Sequence, residues 1–117
     1  MHVLQADLVD YKALSIAAEQ VSQITGGSVD FLIVNGAYVS HETADISPTQ
    51  FIGKEDLLKS DLEKSFLTNV LGPLYTINSF LPLIRSGTTK KIIVISTGMA
   101  DPDFAQVAGV SNAVTYT

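Results

Sequence analysis

The chain has 117 residues, no cysteine, and seven lysines and arginines against 12 aspartates and glutamates. This length fits one modest hydrophobic core, so we expect residues 1–117 to form a single domain or part of one. The acidic balance disfavours nucleic acid as a partner, and without cysteine neither disulfides nor thiolate metal sites can form. The absence of cysteine also fits a reducing, cytoplasmic setting. No apolar run approaches the roughly 18 to 20 residues that span a bilayer, so we expect a soluble protein with no membrane partner.

Strand-like and helix-like segments alternate along the first third of the chain. Val3–Ala6 is a short apolar run that predicts a strand, and Tyr11–Ile24 carries apolar residues at helical spacing before a glycine pair, Gly26–Gly27. Phe31–Val34 is a continuous apolar run, which is the pattern of a strand buried on both faces. This alternation predicts an α/β fold with a doubly wound parallel sheet.

The later segments continue the alternation. A polar loop over residues 38–53 precedes a pattern that predicts one long helix with an apolar face over Lys54–Ile84, ended by Ser86–Gly87. Ile92–Ile95 predicts a further strand, and Gly98–Asn112 predicts an irregular stretch because it contains proline and glycine.

Pro73 lies four residues after Asn69 inside the long helical pattern. Proline has no N–H to donate to the carbonyl of residue 69, and its ring crowds that turn, so we expect a bend or a broken helical hydrogen bond there. A carbonyl released beside an amide side chain would hold water. The alternative is that Pro73 only kinks the helix along the sheet and that Asn69 faces solvent.

Hydroxyl groups follow the predicted strand Ile92–Ile95. Ser96 and Thr97 stand where the carboxyl end of a parallel strand opens onto a ligand crevice, and hydroxyls there can bind a carbonyl oxygen. A lone Ser-Thr pair favours the alternative, which is a turn or capping role for these hydroxyls before Gly98. Tyr116 taken alone is an ordinary half-buried aromatic residue.

Other polar residues are interpreted without a catalytic role. One loop contains His41, Glu42 and Asp45, without further metal-ligating residues beside them. This setting favours a solvated turn over a metal site, so no metal is expected. The acidic residues of the predicted long helix either interact favourably with the helix dipole or are solvated. These acids are Glu55, Asp56, Asp61 and Glu63.

Taken in order, these segments resemble the classical short-chain dehydrogenase/reductase family, from its third strand to the tyrosine of its YxxxK motif. Asp30–Ala37 is similar to the family's D-x-L-V-N-N-A-G segment, although Val34 replaces the first asparagine and Gly36-Ala37 inverts the Ala-Gly pair. Asn69–Gly72 fits N-V-x-G, and Lys91–Thr97 is similar to the strand that carries the substrate-orienting serine.

The resemblance implies a Rossmann-like site for NAD or NADP, without distinguishing the two. In the family, the residue matching Asp7 binds the adenine amino group, and small residues after the next strand let the cofactor approach. The implied cofactor-binding residues are Asp7, Leu8, Asn35, Gly36 and Ala37.

The same resemblance implies hydride transfer between NAD(P) and a carbonyl or secondary alcohol. Tyr116 would exchange a proton with the substrate oxygen, Thr97 or alternatively Ser96 would orient that oxygen, and Asn69 would hold a water through its carbonyl. The family's lysine would fall four residues after Tyr116, and its first two strands and glycine-rich turn would precede Met1. The fragment as given is therefore expected to be inactive.

Two other interpretations stay open. One is a non-catalytic relic or regulatory module that keeps the fold for protein contacts, and the other is a relative of the extended-type epimerases. The resemblance also implies a homo-oligomer that associates through the helix predicted over Lys54–Ile84.

The family's strand order, 3-2-1-4-5, implies that two strands lie between those matching Val3–Ala6 and Phe31–Val34. We therefore expect one of two arrangements. Either the two segments keep that separation, or Val3–Ala6 pairs directly with Phe31–Val34. The hydrogen-bond partners of Leu32 and Val34 distinguish the two.

Overall fold

The computed structural model describes residues 1–44 and 46–109, which form two compact units. Of these residues, the first unit contains 1–36 and 67–95, and the second contains 37–44, 46–66 and 96–109. Tyr116, and the end of the predicted irregular stretch at Asn112, lie outside the described residues. Among the described residues, no helix is both long enough and apolar enough to cross a membrane.

Helix α1 spans Tyr11–Thr25 and confirms the helix predicted over Tyr11–Ile24. Asp10 caps its first turn, because its carboxylate accepts two backbone N–H groups at 3.0 and 3.1 Å. Gly26 ends it with φ at 72°, the left-handed conformation that glycine adopts without strain. The buried residues of this helix are Leu14, Ala17 and Ala18.

Two parallel strands form the described sheet. Strand β1 spans Phe31–Val34 and strand β2 spans Lys91–Val94, with Ile33 opposite Ile93. Both predicted strands are confirmed to within one residue. Parallel pairing requires a crossover connection, and helices supply it here, as the α/β interpretation expected.

Only one face of β1 is buried. Val34 is 3% exposed and Leu32 is half-buried, whereas Phe31 and Ile33 are 53% and 61% exposed. The prediction that this strand is buried on both faces is therefore wrong within the described residues. Alternate side chains point to opposite faces of a strand, and no described element covers the face of Phe31 and Ile33.

The strand predicted over Val3–Ala6 is also wrong. These residues form neither helix nor strand, and Val3 is 81% exposed. A short apolar run becomes a strand only where a neighbouring strand satisfies its backbone groups. Within the described sheet β1 pairs with β2, so direct pairing of Val3–Ala6 with Phe31–Val34 is not observed. The separated arrangement stays a prediction.

The long helical stretch runs from Glu55 to Ser86 in three parts. Helix α2 spans Glu55–Phe66, a π-helical turn spans Leu67–Leu71, and helix α3 spans Gly72–Ser86. The predicted interruption of α-helical hydrogen bonding at Asn69 is thus confirmed. Pro73 lies in the first turn of α3, where a missing N–H is tolerated, and the π turn accommodates the change in register.

Three short elements complete the description. Pro48–Phe51 and Gly98–Ala100 are 3₁₀ turns, and helix α4 spans Pro102–Val107. The irregular stretch predicted from Gly98 is therefore wrong over α4. Asp101 caps α4 by accepting N–H groups at 2.9 and 3.2 Å, and proline at the first helical position favours the helix rather than breaking it.

Candidate functional site

A turn at Asp7 leads into α1. The Asp7 side chain accepts the N–H of Val9 at 3.1 Å, and the Asp7 carbonyl accepts the N–H of Asp10 at 3.1 Å. This local network fixes the backbone on both sides of Leu8, whose side chain is half-buried, while the Asp7 side chain is exposed. The carboxylate retains capacity to accept further hydrogen bonds.

Leu8 fills the space that two glycines leave empty. A β-carbon on Gly36 would overlap Leu8 Cδ1 and lie 3.2 Å from Leu8 Cγ, and one on Gly72 would lie 3.0 Å from Leu8 Cβ. Neither glycine has a left-handed φ, so the space beside Leu8, and not the backbone conformation, favours glycine at each position. We call Leu8, Gly36 and Gly72 the Leu8 junction.

The junction brings together most of the predicted cofactor residues. The Asp7-Leu8 turn packs against Asn35-Gly36, which follow the carboxyl end of β1 and are exposed. Ligands of open parallel sheets bind at this end of the strands. An exposed carboxylate, which accepts hydrogen bonds, and exposed backbone at the end of a parallel strand are groups that fit part of a dinucleotide. Ala37, the remaining predicted cofactor residue, is exposed and begins the second unit.

The predicted catalytic residues are distributed differently. Asn69 is half-buried in the π turn of the first unit, and Ser96 and Thr97 are exposed in the second unit. Tyr116 lies outside the described residues. The catalytic assignments of these four residues therefore stay predictions.

Asp30, at the amino end of β1, has a structural role. Its carboxylate accepts the backbone N–H groups of Thr89 at 3.0 Å and Thr88 at 2.6 Å, which ties the turn before β2 to the start of β1. These hydrogen bonds, first that of Thr89, hold the pKa of Asp30 below its ordinary value of 3.8. They lie at the end of the strand opposite to Asn35.

A buried polar cluster in the second unit escaped sequence reasoning. Asp61 of α2 is 4% exposed, and its carboxylate accepts the hydroxyl of Tyr38 at 3.3 Å and the hydroxyl of fully buried Thr43. The expectation that Asp61 is solvated or serves the helix dipole is wrong. We call Tyr38, Thr43 and Asp61 the Asp61 cluster.

The apolar periodicity of α2 did not indicate this cluster. The predicted apolar face of α2 ran through Leu58, Leu62 and Phe66, but Leu62 and Phe66 are 41% and 57% exposed. The buried positions are Asp61 and Ser65, which are four residues apart on one helical face. Polar residues on the buried face of a helix indicate partners elsewhere in the fold, and here the loop supplies them.

A cavity of about 270 Å³ lies beside the Asp61 cluster, between the loop and α2. Acidic, basic and hydroxyl side chains share its wall with two aliphatic ones, so it suits small polar groups. Its lining residues are Tyr38, Val39, Ser40, His41, Glu42, Leu57, Ser60, Asp61 and Lys64. The part of the chain that the structure describes contains no group of three or more histidine or acidic side chains placed to hold a metal ion.

Comparison with known proteins identifies the family. No family model matches the chain. The chain is 44% identical over 121 residues to the short-chain dehydrogenase/reductase AacuF of Aspergillus aculeatus, an alignment that covers 99% of the chain and 43% of that relative. The chain belongs to the short-chain dehydrogenase/reductase family. Other fungal short-chain dehydrogenase/reductases are also similar to the chain, and they support the same family assignment.

The short-chain dehydrogenase/reductase atnB of Arthrinium sp. is 38% identical over 117 residues, covering 100% of the chain and 44% of the relative. The short chain dehydrogenase virK of Hypocrea virens is 44% identical over 103 residues, covering 88% of the chain and 38% of the relative. The chain thus spans about two fifths of the length of the curated relatives that it matches. Membership implies a Rossmann-like fold, of which α1, β1, α3 and β2 form a part.

Proposed function

We propose that this segment belongs to an oxidoreductase that transfers hydride between NAD(P) and a carbonyl or secondary alcohol substrate. Family membership supports this activity class. The observation that carries the proposal is the Leu8 junction, which holds the exposed Asp7 turn against the exposed backbone of Asn35-Gly36 at the carboxyl end of β1.

The proposed chemistry divides into hydride transfer and proton transfer. A bound nicotinamide would donate or accept the hydride. Tyr116 would give its phenolic proton to the carbonyl oxygen during reduction and take it back during oxidation, and the Thr97 hydroxyl would orient the same oxygen. An unperturbed phenol titrates near 10, so this role needs a neighbouring cation that lowers its pKa.

Asn69 would serve proton transfer through a water held by its main chain. The π turn Leu67–Leu71 supports this part of the proposal, because it alters the α-helical bonding pattern at the residue in question. Irregular turns of this kind within helices are frequent at functional sites.

The test uses a longer protein that contains this segment and has the full length of the relatives. Tyr116→Phe should lower turnover by a factor on the order of 10²–10⁴, because the proton donor is lost while the ring remains. Thr97→Ala should reduce turnover more than Ser96→Ala. Normal turnover of a carbonyl substrate by Tyr116→Phe would contradict the proposal.

A non-catalytic module for protein contacts is the alternative function. The exposed apolar side chains of Phe31 and Ile33 support it, because such a sheet face can pack against another protein surface. Calorimetric titration of the same full-length protein with NADH and NADPH separates the two. Binding of either dinucleotide supports the oxidoreductase, and absence of binding to both supports the module.

We further propose a homo-oligomer that associates through the helical stretch. Leu62 and Phe66 of α2, and Leu67 and Val70 of the π turn, are 39% to 57% exposed, which is unusual for large apolar side chains on a helix unless they meet a partner. Light scattering at micromolar concentration should show an oligomer. A strictly monomeric protein under those conditions would contradict this proposal.

A further inference from the structure

Leu8 joins three separate segments of the first unit. Its side chain meets the end of β1 at Gly36, and its β-carbon meets the start of α3 at Gly72. Its own backbone belongs to the turn before α1. A β-carbon on Gly36 would force the end of the Leu8 side chain to move, and one on Gly72 would make a tight contact with Leu8 Cβ, so the Leu8 side chain constrains the spacing of the three segments.

The backbone of Leu8 is held on both sides. Asp7 accepts the N–H of Val9 at 3.1 Å and, through its carbonyl, the N–H of Asp10 at 3.1 Å. Asp10 in turn caps α1. Because these hydrogen bonds hold the turn, we expect a change in the volume at position 8 to alter the separation between Asp7 and β1.

We infer that Leu8 is a positioning residue that sets the distance between the Asp7 carboxylate and the backbone of Asn35-Gly36. The inference rests on the proposed function, in which those groups bind one dinucleotide. The Leu8 side chain packs against protein atoms of the junction. It therefore acts on the dinucleotide through its neighbours, whereas the family resemblance implied a role in binding itself.

The two glycines differ in which part of Leu8 they meet, and this difference gives a sharp test. A β-carbon at position 36 would meet Leu8 Cδ1 and Cγ, which Leu8→Ala removes. A β-carbon at position 72 would meet Leu8 Cβ at 3.0 Å and its carbonyl oxygen at 3.5 Å, which Leu8→Ala retains. Leu8→Ala should therefore rescue Gly36→Ala and fail to rescue Gly72→Ala.

The experiment measures the dissociation constants of NADH and NADPH for the full-length protein. Gly36→Ala and Gly72→Ala should each weaken binding by about tenfold, which corresponds to about 1.4 kcal/mol. Combining Leu8→Ala with Gly36→Ala should give the affinity of Leu8→Ala alone, whereas combining it with Gly72→Ala should weaken binding further. Equal rescue of both glycine variants, or wild-type affinity of Gly36→Ala, would overturn the inference.

Two further variants separate positioning from stability. Val9→Ala changes the exposed neighbouring side chain and should leave dinucleotide affinity unchanged. Gly87→Ala disturbs the first unit at the opposite, amino end of the strands and should lower stability while leaving affinity unchanged. If Gly87→Ala weakens binding as much as Gly36→Ala at equal stability, Leu8 has only a structural role and the inference is overturned.

A milder substitution covers the case in which the glycine variants do not fold. Leu8→Val shortens the side chain and leaves both glycines intact, and it should raise the KM for the dinucleotide several-fold while kcat stays unchanged. An unchanged KM for the dinucleotide would overturn the inference. A wild-type protein that binds neither NADH nor NADPH would instead overturn the proposed function, and this result is distinguishable because it precedes any substitution.

Discussion

The Leu8 junction and the Asp61 cluster tie chain segments together in opposite ways. At the junction one apolar side chain fills the space above two glycines, and no hydrogen bond from the Leu8 side chain is involved. In the cluster a buried carboxylate accepts hydroxyls from a loop. The first depends on volume and the second on satisfied hydrogen bonds, so substitutions that one tolerates should damage the other.

We expect the largest effect on stability from a substitution in the Asp61 cluster. Asp61→Ala removes the acceptor of two buried or half-buried hydroxyls, those of Thr43 and Tyr38, and should lower the free energy of unfolding by about 3 kcal/mol. Urea denaturation followed by circular dichroism measures it. Glu63→Ala on the exposed side of the same helix is the matched control and should change stability by about 0.5 kcal/mol or less. Equal effects of the two variants would show that the Asp61 cluster contributes nothing specific.

The effect of volume, on which the Leu8 junction depends, is tested separately at Gly87, where a β-carbon would overlap the backbone oxygen of Val29. Backbone cannot swing aside as a side chain can, so Gly87→Ala should lower the free energy of unfolding by about 2 kcal/mol. Gly26→Ala is the control, because its β-carbon would meet open space and only its φ of 72° opposes alanine. That strain should cost about 1 kcal/mol. A larger loss for Gly26→Ala in thermal unfolding would reverse this ranking.

Ser65 is a buried polar residue of α2 whose replacement should stabilise the protein, in contrast to that of Asp61. Its hydroxyl is buried and has no hydrogen-bond partner within residues 1–44 and 46–109. Ser65→Ala removes that unsatisfied group and should raise the free energy of unfolding by about 1 kcal/mol. Ser60→Ala, at an exposed position of the same helix, should leave stability unchanged. Destabilisation by Ser65→Ala would contradict the account.

Asp30 gives the smallest effect, because its carboxylate is exposed. Its pKa in the folded protein is lowered by the N–H groups of Thr89 and Thr88, so its contribution to stability is present above pH 3.8 and is lost as pH falls toward the lower, folded pKa. Asp30→Asn should therefore reduce the melting temperature above pH 3.8 and differ less from the wild type below it. An equal reduction at every pH would contradict the ionic origin.

Local chemistry explains what could be predicted from sequence. The bounds of α1 follow from a capping aspartate, apolar residues at helical spacing and a left-handed glycine, all within one short segment. The interruption at Asn69 follows from proline four residues later, which removes a hydrogen bond whatever surrounds the helix. Family motifs named Gly36 and Gly72, although only the structure shows that Leu8 packs against both glycines.

Two of the predictions that failed required a partner elsewhere in the chain. Val3–Ala6 has the residues of a strand, but no strand pairs with it among those described. Phe31 and Ile33 have the residues of a buried strand face, yet no described element covers that face. The helix α4 differs from the prediction for another reason: the proline and glycines of Gly98–Asn112 predicted an irregular stretch, whereas Asp101-Pro102 begins a helix.

The sequence by itself determined the family, the helix and strand positions with local caps or breaks, and which residues are candidates for dinucleotide binding. Those features depend on hydrogen bonds and steric limits within a few residues of one another. Only the tertiary structure decided that Asp61 faces inward, that Leu8 fills the space above two glycines, and that one sheet face is exposed. Burial is a property of two surfaces that meet, and contacts between residues distant in sequence are not encoded in the periodicity of either segment alone.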